Sequence, residues 1–159
     1  LPPHAAGSAD VRVARTSGKA GTLTGGFRSV GPLRFHTMTP CRAVDTRAAA
    51  GPFGAPALPG GGGERTFALA TSACAVPAAA RAVSANLTAV APAAAGHLVV
   101  FAAGDAPSGT SALNFRAGST RANALILPVG VDGTASLVIG NGAQSAVDVV
   151  LDVSGWLGE

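Results

Sequence analysis

Apolar and polar positions alternate through most of the chain. The clearest run is 83–89, where Val83, Ala85, Leu87 and Ala89 alternate with Ser84, Asn86 and Thr88. A period of two marks a strand with one buried face. The C-terminal run repeats it, with Val147, Val149, Leu151 and Val153 set against Asp148, Val150 and Asp152, and ends at Gly155-Trp156-Leu157. Near the N-terminus, Val11 and Val13, then Thr22-Leu23 and Phe27, flank Thr16-Ser17-Gly18-Lys19 and predict a hairpin. Residues 34–38 read as a short strand stopped by Pro40, and residues 41–47 as a separate extended segment. Further strands are predicted at 65–69, 98–101, 112–115, 122–129 and 135–139. Between them lie the turn signals Gly104-Asp105-Ala106-Pro107, Arg116-Ala117-Gly118, Val131-Asp132-Gly133 and Gly140-Asn141-Gly142.

Such signals recur about every 8–12 residues, the spacing of a sandwich or barrel. No segment keeps a 3.6-residue period. The Ala-rich stretch 75–82 contains Pro77 and supports at most one helical turn. The predicted fold is therefore all-β: an antiparallel β-sandwich of about nine or ten strands around one core, favoured over a closed barrel. Residues 48–63, with Gly54, Pro56, Pro59 and the run Gly60-Gly61-Gly62-Gly63, are predicted to form a mobile surface loop.

Composition narrows the function classes. Charged residues are only 12% of the 159-residue chain, and hydrophobic residues 48%. This is the opposite of a disordered composition. The net charge is +3, but the arginines are scattered singly beside one lysine, Lys19, so no nucleic-acid groove is expected. No apolar run is long enough for a transmembrane helix. The start, Leu1-Pro2-Pro3-His4, is not that of a signal peptide, so any such segment is expected to have been removed.

Two cysteines occur, Cys41 and Cys74. They are either a disulfide or two separate buried thiols. The disulfide is favoured, because the Pro/Gly-rich segment between them would gain from a staple. It would place the protein in an oxidising compartment. No zinc-type spacing is present.

Candidate chemistry is sparse. His4, His36 and His97 are far apart, and no Gly-x-Ser-x-Gly elbow appears. Asp45, Asp148 and Asp152 are the candidates for paired carboxylates in glycoside hydrolysis. Aromatic platforms for a sugar are few, however, and Trp156 is the only tryptophan. The glycine run at 60–63 does not sit at a strand–helix junction and is no phosphate cradle. No cofactor or metal is assigned; calcium held by loop carbonyls with Asp105 or Asp132 stays open.

Asparagine is the more informative oddity. Asn86, Asn114 and Asn123 fall inside predicted strands, where Asn is disfavoured. Either they point inward and satisfy backbone groups, or they line a face that binds polar ligands such as glycans. The structural reading is favoured, because aromatic partners are scarce. Asp45-Thr46-Arg47 is treated alike. It could bind a carboxylate-bearing ligand, but an Arg clamp that locks the segment after Cys41 is favoured.

Two stretches resemble known families. Residues 2–30, with Asp10-Val11-Arg12-Val13, Gly18 and Gly25-Gly26-Phe27, resemble the closing part of an IPT/TIG immunoglobulin-like domain whose upstream strands are missing here. Residues 34–157 resemble a domain appended to secreted bacterial proteins, often as repeats or at the C-terminus. The marks are the opening Pro40-Cys41-Arg42-Ala43-Val44-Asp45-Thr46-Arg47, then Cys74 with Val76-Pro77, Val83-Ser84-Ala85-Asn86-Leu87-Thr88, Gly96-His97-Leu98, Ser111-Ala112-Leu113-Asn114-Phe115, Arg121-Ala122-Asn123 and Asp152-Val153-Ser154-Gly155-Trp156. The resemblance implies an extracellular accessory module rather than a reaction.

The expected organisation is a partial IPT/TIG-like hairpin or linker at 1–30 and a β-sandwich domain at 31–159. The expected function is a secreted or cell-surface, non-catalytic structural or adhesive domain that self-associates through strand addition by its hairpin. The alternative is a carbohydrate-binding accessory module of an extracellular enzyme. Expected partners are copies of itself, other domains of a longer precursor, or glycans, with no nucleic acid and no membrane span.

Overall fold

Segments with a period of two become strands, and those strands form sheets. The computed structural model describes residues 7–14, 16–18, 20–29, 32–107 and 109–159. Among them are ten strands: β1 (Gly7–Ala14), β2 (Ala20–Ser29), β3 (Arg34–Asp45), β4 (Glu64–Ala68), β5 (Ala82–Val90), β6 (Gly96–Ala102), β7 (Leu113–Phe115), β8 (Arg121–Pro128), β9 (Ser136–Asn141) and β10 (Asp148–Gly158). The only helical piece among the described residues is a 3-10 turn, Leu69–Thr71. His4 and Lys19, named in the sequence reading, lie outside the described residues.

The chain divides into two units, the first reaching Arg34 and the second Phe35–Gly158. In the first, β1 and β2 pair antiparallel as a two-stranded sheet of their own. Gly18 sits in the turn at φ 82°, a conformation open to glycine. Val11 lies opposite Leu23 and Val13 opposite Gly21, with a register shift between Ala9 and Val11. Val11, Val13 and Leu23 therefore share one face, and all three are exposed, at 39%, 66% and 65%.

The second unit is a sandwich of two four-stranded sheets, ordered β3-β10-β5-β8 and β4-β9-β6-β7. The β5–β10, β5–β8, β4–β9, β6–β9 and β6–β7 pairs are antiparallel. Strict alternation in β5 buries Val83, Ala85, Leu87 and Ala89. Val149, Leu151 and Val153 of β10 join them. The facing sheet supplies Phe67, Leu98, Val100, Leu113, Phe115, Leu137 and Ile139 to the same core. Each large apolar side chain fully buried here contributes about 1.5–3 kcal/mol.

Two local expectations are corrected. The sequence separated residues 34–38 from 41–47 at Pro40, but β3 runs through it as one 12-residue strand. A proline is tolerated there because β3 is an edge strand, where its missing N–H need not serve a neighbour. Residues 48–63 are not a free loop. The N–H of Asp45 donates to Phe53 O at 2.9 Å, and Leu58 and Val147 exchange backbone bonds of 3.0 Å. Gly61 and Gly62 donate to Ala143 O and Asn141 O. The Arg65 guanidinium donates to the carbonyls of Gly54 and Pro56 and lies 4.9 Å over the Phe67 ring.

Cys41 of β3 and Cys74 form a disulfide with a Cα–Cα distance of 5.7 Å, spanning 33 positions. Constraining a loop of that length in the unfolded chain is worth about 3–4 kcal/mol in the chain-entropy model.

Candidate functional site

Of the acidic residues singled out in the sequence, Asp45 and Asp152 are engaged by Arg42 of β3 and by Arg47 in the turn after it, and Asp148 by Thr46. Arg42 donates from Nε and Nη2 to the two carboxylate oxygens of Asp152, at 2.8 and 3.2 Å. Its Nη1 also reaches Asp45 Oδ2 at 3.3 Å. Arg47 holds Asp45 through its backbone N–H at 3.1 Å, Nε at 2.8 Å and Nη2 at 2.6 Å. The result is a chain Asp152–Arg42–Asp45–Arg47. The Arg47 side chain and backbone N–H, with Arg42 nearby, pull the Asp45 carboxyl down to about 2. Asp148 accepts the Thr46 hydroxyl at 2.7 Å, and that hydroxyl accepts the Val149 N–H at 2.9 Å. The arrangement is a clamp that carries β3 onto β10, with its carboxylates already engaged.

Trp156 is half-buried and packed against the core. His36 stacks on its ring, with centroids 4.0 Å apart and planes 10° from parallel. A Cβ on Gly158 would strike the indole. The tryptophan is thus a packing residue of the β3–β10 corner rather than an open platform. His97 belongs to the other sheet, paired opposite Asn114, where a Cβ on Gly142 would strike its ring. The two histidines do not converge.

Three motifs do meet, at the end of the sandwich where edge strands β7 and β8 of opposite sheets approach. Ser111, Ala112, Leu113, Asn114, Phe115, Arg116, Arg121, Ala122 and Asn123 line an open cleft of about 730 Å³. Arg121 and Asn123 lie opposite Ala89 and Leu87, on the side of β8 that faces the second sheet. Asn123 donates to Ala112 O at 2.9 Å and bridges the two sheets. Asn114 donates to Ser111 Oγ at 2.9 Å. The turn between Arg116 and Arg121 is fixed by Gly118 N–H to Pro92 O at 2.7 Å and by Ala91 N–H to Thr120 Oγ1 at 3.1 Å. Neither arginine joins an ion pair among the described residues, and no carboxylate lines the cleft.

Asn86 sits half-buried on β5, level with Asp152 on one side and Ala124 on the other. The fully buried amide is one the sequence reading passed over. Asn141, 1% exposed, donates to Pro59 O at 3.0 Å and Ser145 O at 2.9 Å, and its Oδ1 accepts the Ala143 N–H at 2.9 Å. Its flanking glycines made it look like a turn residue; its place at the end of an unbroken apolar run was the available signal. Arg116 and Arg121 belong to the singly scattered arginines of the sequence, and the fold brings both to the one cleft between β7 and β8. The signal was their position on either side of one short glycine turn.

Asp105 and Asp132 line one shallow cleft with Gly104 and Gly130. Asp132 Oδ1 already accepts the Thr134 N–H and hydroxyl, at 2.9 and 2.7 Å, which lowers its pKa. No group of three His, Cys, Asp or Glu residues placed to hold a metal occurs among the described residues. No helix among them is long and apolar enough to cross a membrane.

No family model matches the chain, and no curated protein or solved structure matches it either.

Proposed function

We propose that the chain is a non-catalytic structural module of a secreted or cell-surface bacterial protein, joined to further copies of itself by strand addition through its N-terminal hairpin. The observation that carries this reading is the exposed stripe of Val11, Val13 and Leu23 on a sheet of only two strands. An isolated hairpin is marginal in water, and an uncovered apolar strand pair is a template for another chain. The resemblance of residues 2–30 to the end of an IPT/TIG domain points the same way, to strands whose ordinary place is in a larger sheet. The disulfide fits an oxidising compartment. A non-catalytic role is supported by the carboxylates of Asp45 and Asp152, which are engaged by guanidinium groups instead of converging on open space.

Size-exclusion chromatography with light scattering and electron microscopy test the reading. The full chain is expected to form oligomers or filaments that grow with concentration. The variant Val11→Asp/Val13→Asp/Leu23→Asp is expected to stay monomeric. A wild-type chain that is monomeric throughout contradicts it.

One observation favours a second reading, a carbohydrate-binding accessory module. The cleft between β7 and β8 gathers Asn114, Asn123 and Ser111, amide and hydroxyl groups suited to sugar hydroxyls.

A further inference from the structure

We infer that the β7–β8 cleft binds an acidic polysaccharide, with Arg116 and Arg121 taking its carboxylates and Asn114 and Asn123 its hydroxyls. This rests on the carbohydrate-binding reading and specifies the ligand's charge.

Arg42 and Arg47 are matched to carboxylates, and Arg65 to backbone carbonyls. Arg116 and Arg121 have no acidic partner among the described residues, yet both line one cleft that no carboxylate lines. Among the described residues Arg12, Arg34 and Arg81 also join no ion pair; what sets Arg116 and Arg121 apart is that the two share one cleft. A guanidinium presents a planar fork of donors that suits a carboxylate, and two such forks a few residues apart suit a ligand with repeating negative charge.

The remaining lining groups narrow the class. Asn114, Asn123 and Ser111 offer both donors and acceptors, which a purely electrostatic site would not need. The amides are held in place by their bonds to Ser111 Oγ and Ala112 O, so they are pre-positioned rather than ordered on binding. Phe115 is buried, leaving no aromatic face in the cleft, so a ligand there is held by its charged and polar groups rather than by stacking. Single-stranded nucleic acid, which relies on such stacking, is therefore disfavoured. Hydroxyl-rich chains carrying carboxylates fit best. With ionic contacts dominant, binding should weaken as salt is raised.

Affinity electrophoresis of the full, disulfide-bonded chain through gels containing polygalacturonate, dextran, a glycerol-phosphate polymer or single-stranded DNA tests this. Polygalacturonate is expected to retard the wild-type chain, and raising the salt from low to moderate ionic strength to release it. Arg116→Ala/Arg121→Ala should lose at least tenfold in affinity with an unchanged urea midpoint. Asn114→Ala should lose severalfold and retain the salt dependence. Retardation by dextran that is insensitive to the arginine substitutions would keep the carbohydrate reading and overturn the acidic ligand. No retardation by any saccharide polymer overturns both. Stronger binding to the glycerol-phosphate polymer would overturn the carboxylate assignment. Equal retardation by DNA, untouched by Asn114→Ala, would reduce the cleft to unspecific charge and overturn the site.

Discussion

Asp45 shows how single residues hold this molecule together. Its carboxylate takes Arg47 on one side and Arg42 on the other, and its pKa falls from 3.8 to about 2. Between those values the unfolded chain binds more protons than the folded one, so stability rises with pH across that window. The contribution is complete above about pH 5 and disappears as pH falls through about 2. Both guanidinium partners are half exposed, which reduces its worth to about 1–2 kcal/mol. Asp45→Asn is expected to lose that amount at neutral pH and to flatten the fall in stability between pH 4 and 2, as followed by urea unfolding. An acid limb as steep as that of the wild type would show that the carboxylate is not tuned by its arginines. The nearness of Asp45 and Arg47 was legible in the sequence, though β3 ends at Asp45 and it is a turn, not an extended segment, that folds Arg47 back onto the carboxylate. The bridge from Arg42 to Asp152 was not, because it joins positions distant in the chain through strand pairing.

At the scale of elements, strands that alternate cleanly could be read directly. β5 buries every second residue, and the sequence placed it to within a residue or two. β10 was equally plain, since one face carries Val149, Leu151 and Val153. Two elements were obscured by residues whose effect depends on context. Pro40 reads as a stop, yet at a sheet edge it interrupts nothing. The glycines of 48–63 read as slack, yet a Cβ at Gly54 or Gly60 would collide with the backbone of Ala49 or Gln144. Close approach, rather than mobility, explains them there. Asn141 joins this segment to the end of β9 through Leu58, Pro59, Ser145 and Ala143. Asn141→Leu keeps the volume but strands these backbone groups in a buried place, and is expected to cost about 2–4 kcal/mol. Linear extrapolation of urea unfolding with the disulfide intact measures it; a loss below about 0.5 kcal/mol, the level of an ordinary surface substitution, would mean that the amide is not what pins the segment.

For the whole molecule the question is which edges remain open. The sandwich manages its own: β3 carries Pro40, β4 has five residues, β7 has three, and β8 is tied to Ala112 through Asn123 and ends on Pro128. Short, proline-bearing or bridged edges discourage pairing with another chain. The hairpin differs, with eight residues in β1, ten in β2 and an exposed apolar face. The all-β class and the sandwich followed from periodicity and turn spacing. The cleft did not, because it is built from two sheets whose stacking no local pattern encodes. Hydrogen–deuterium exchange of the full chain across a concentration series tests the strand-addition account most directly. Amides of β1 and β2 are expected to become protected as concentration rises, while those of the sandwich core stay slow throughout. Rapid exchange in both hairpin strands at every concentration would contradict it.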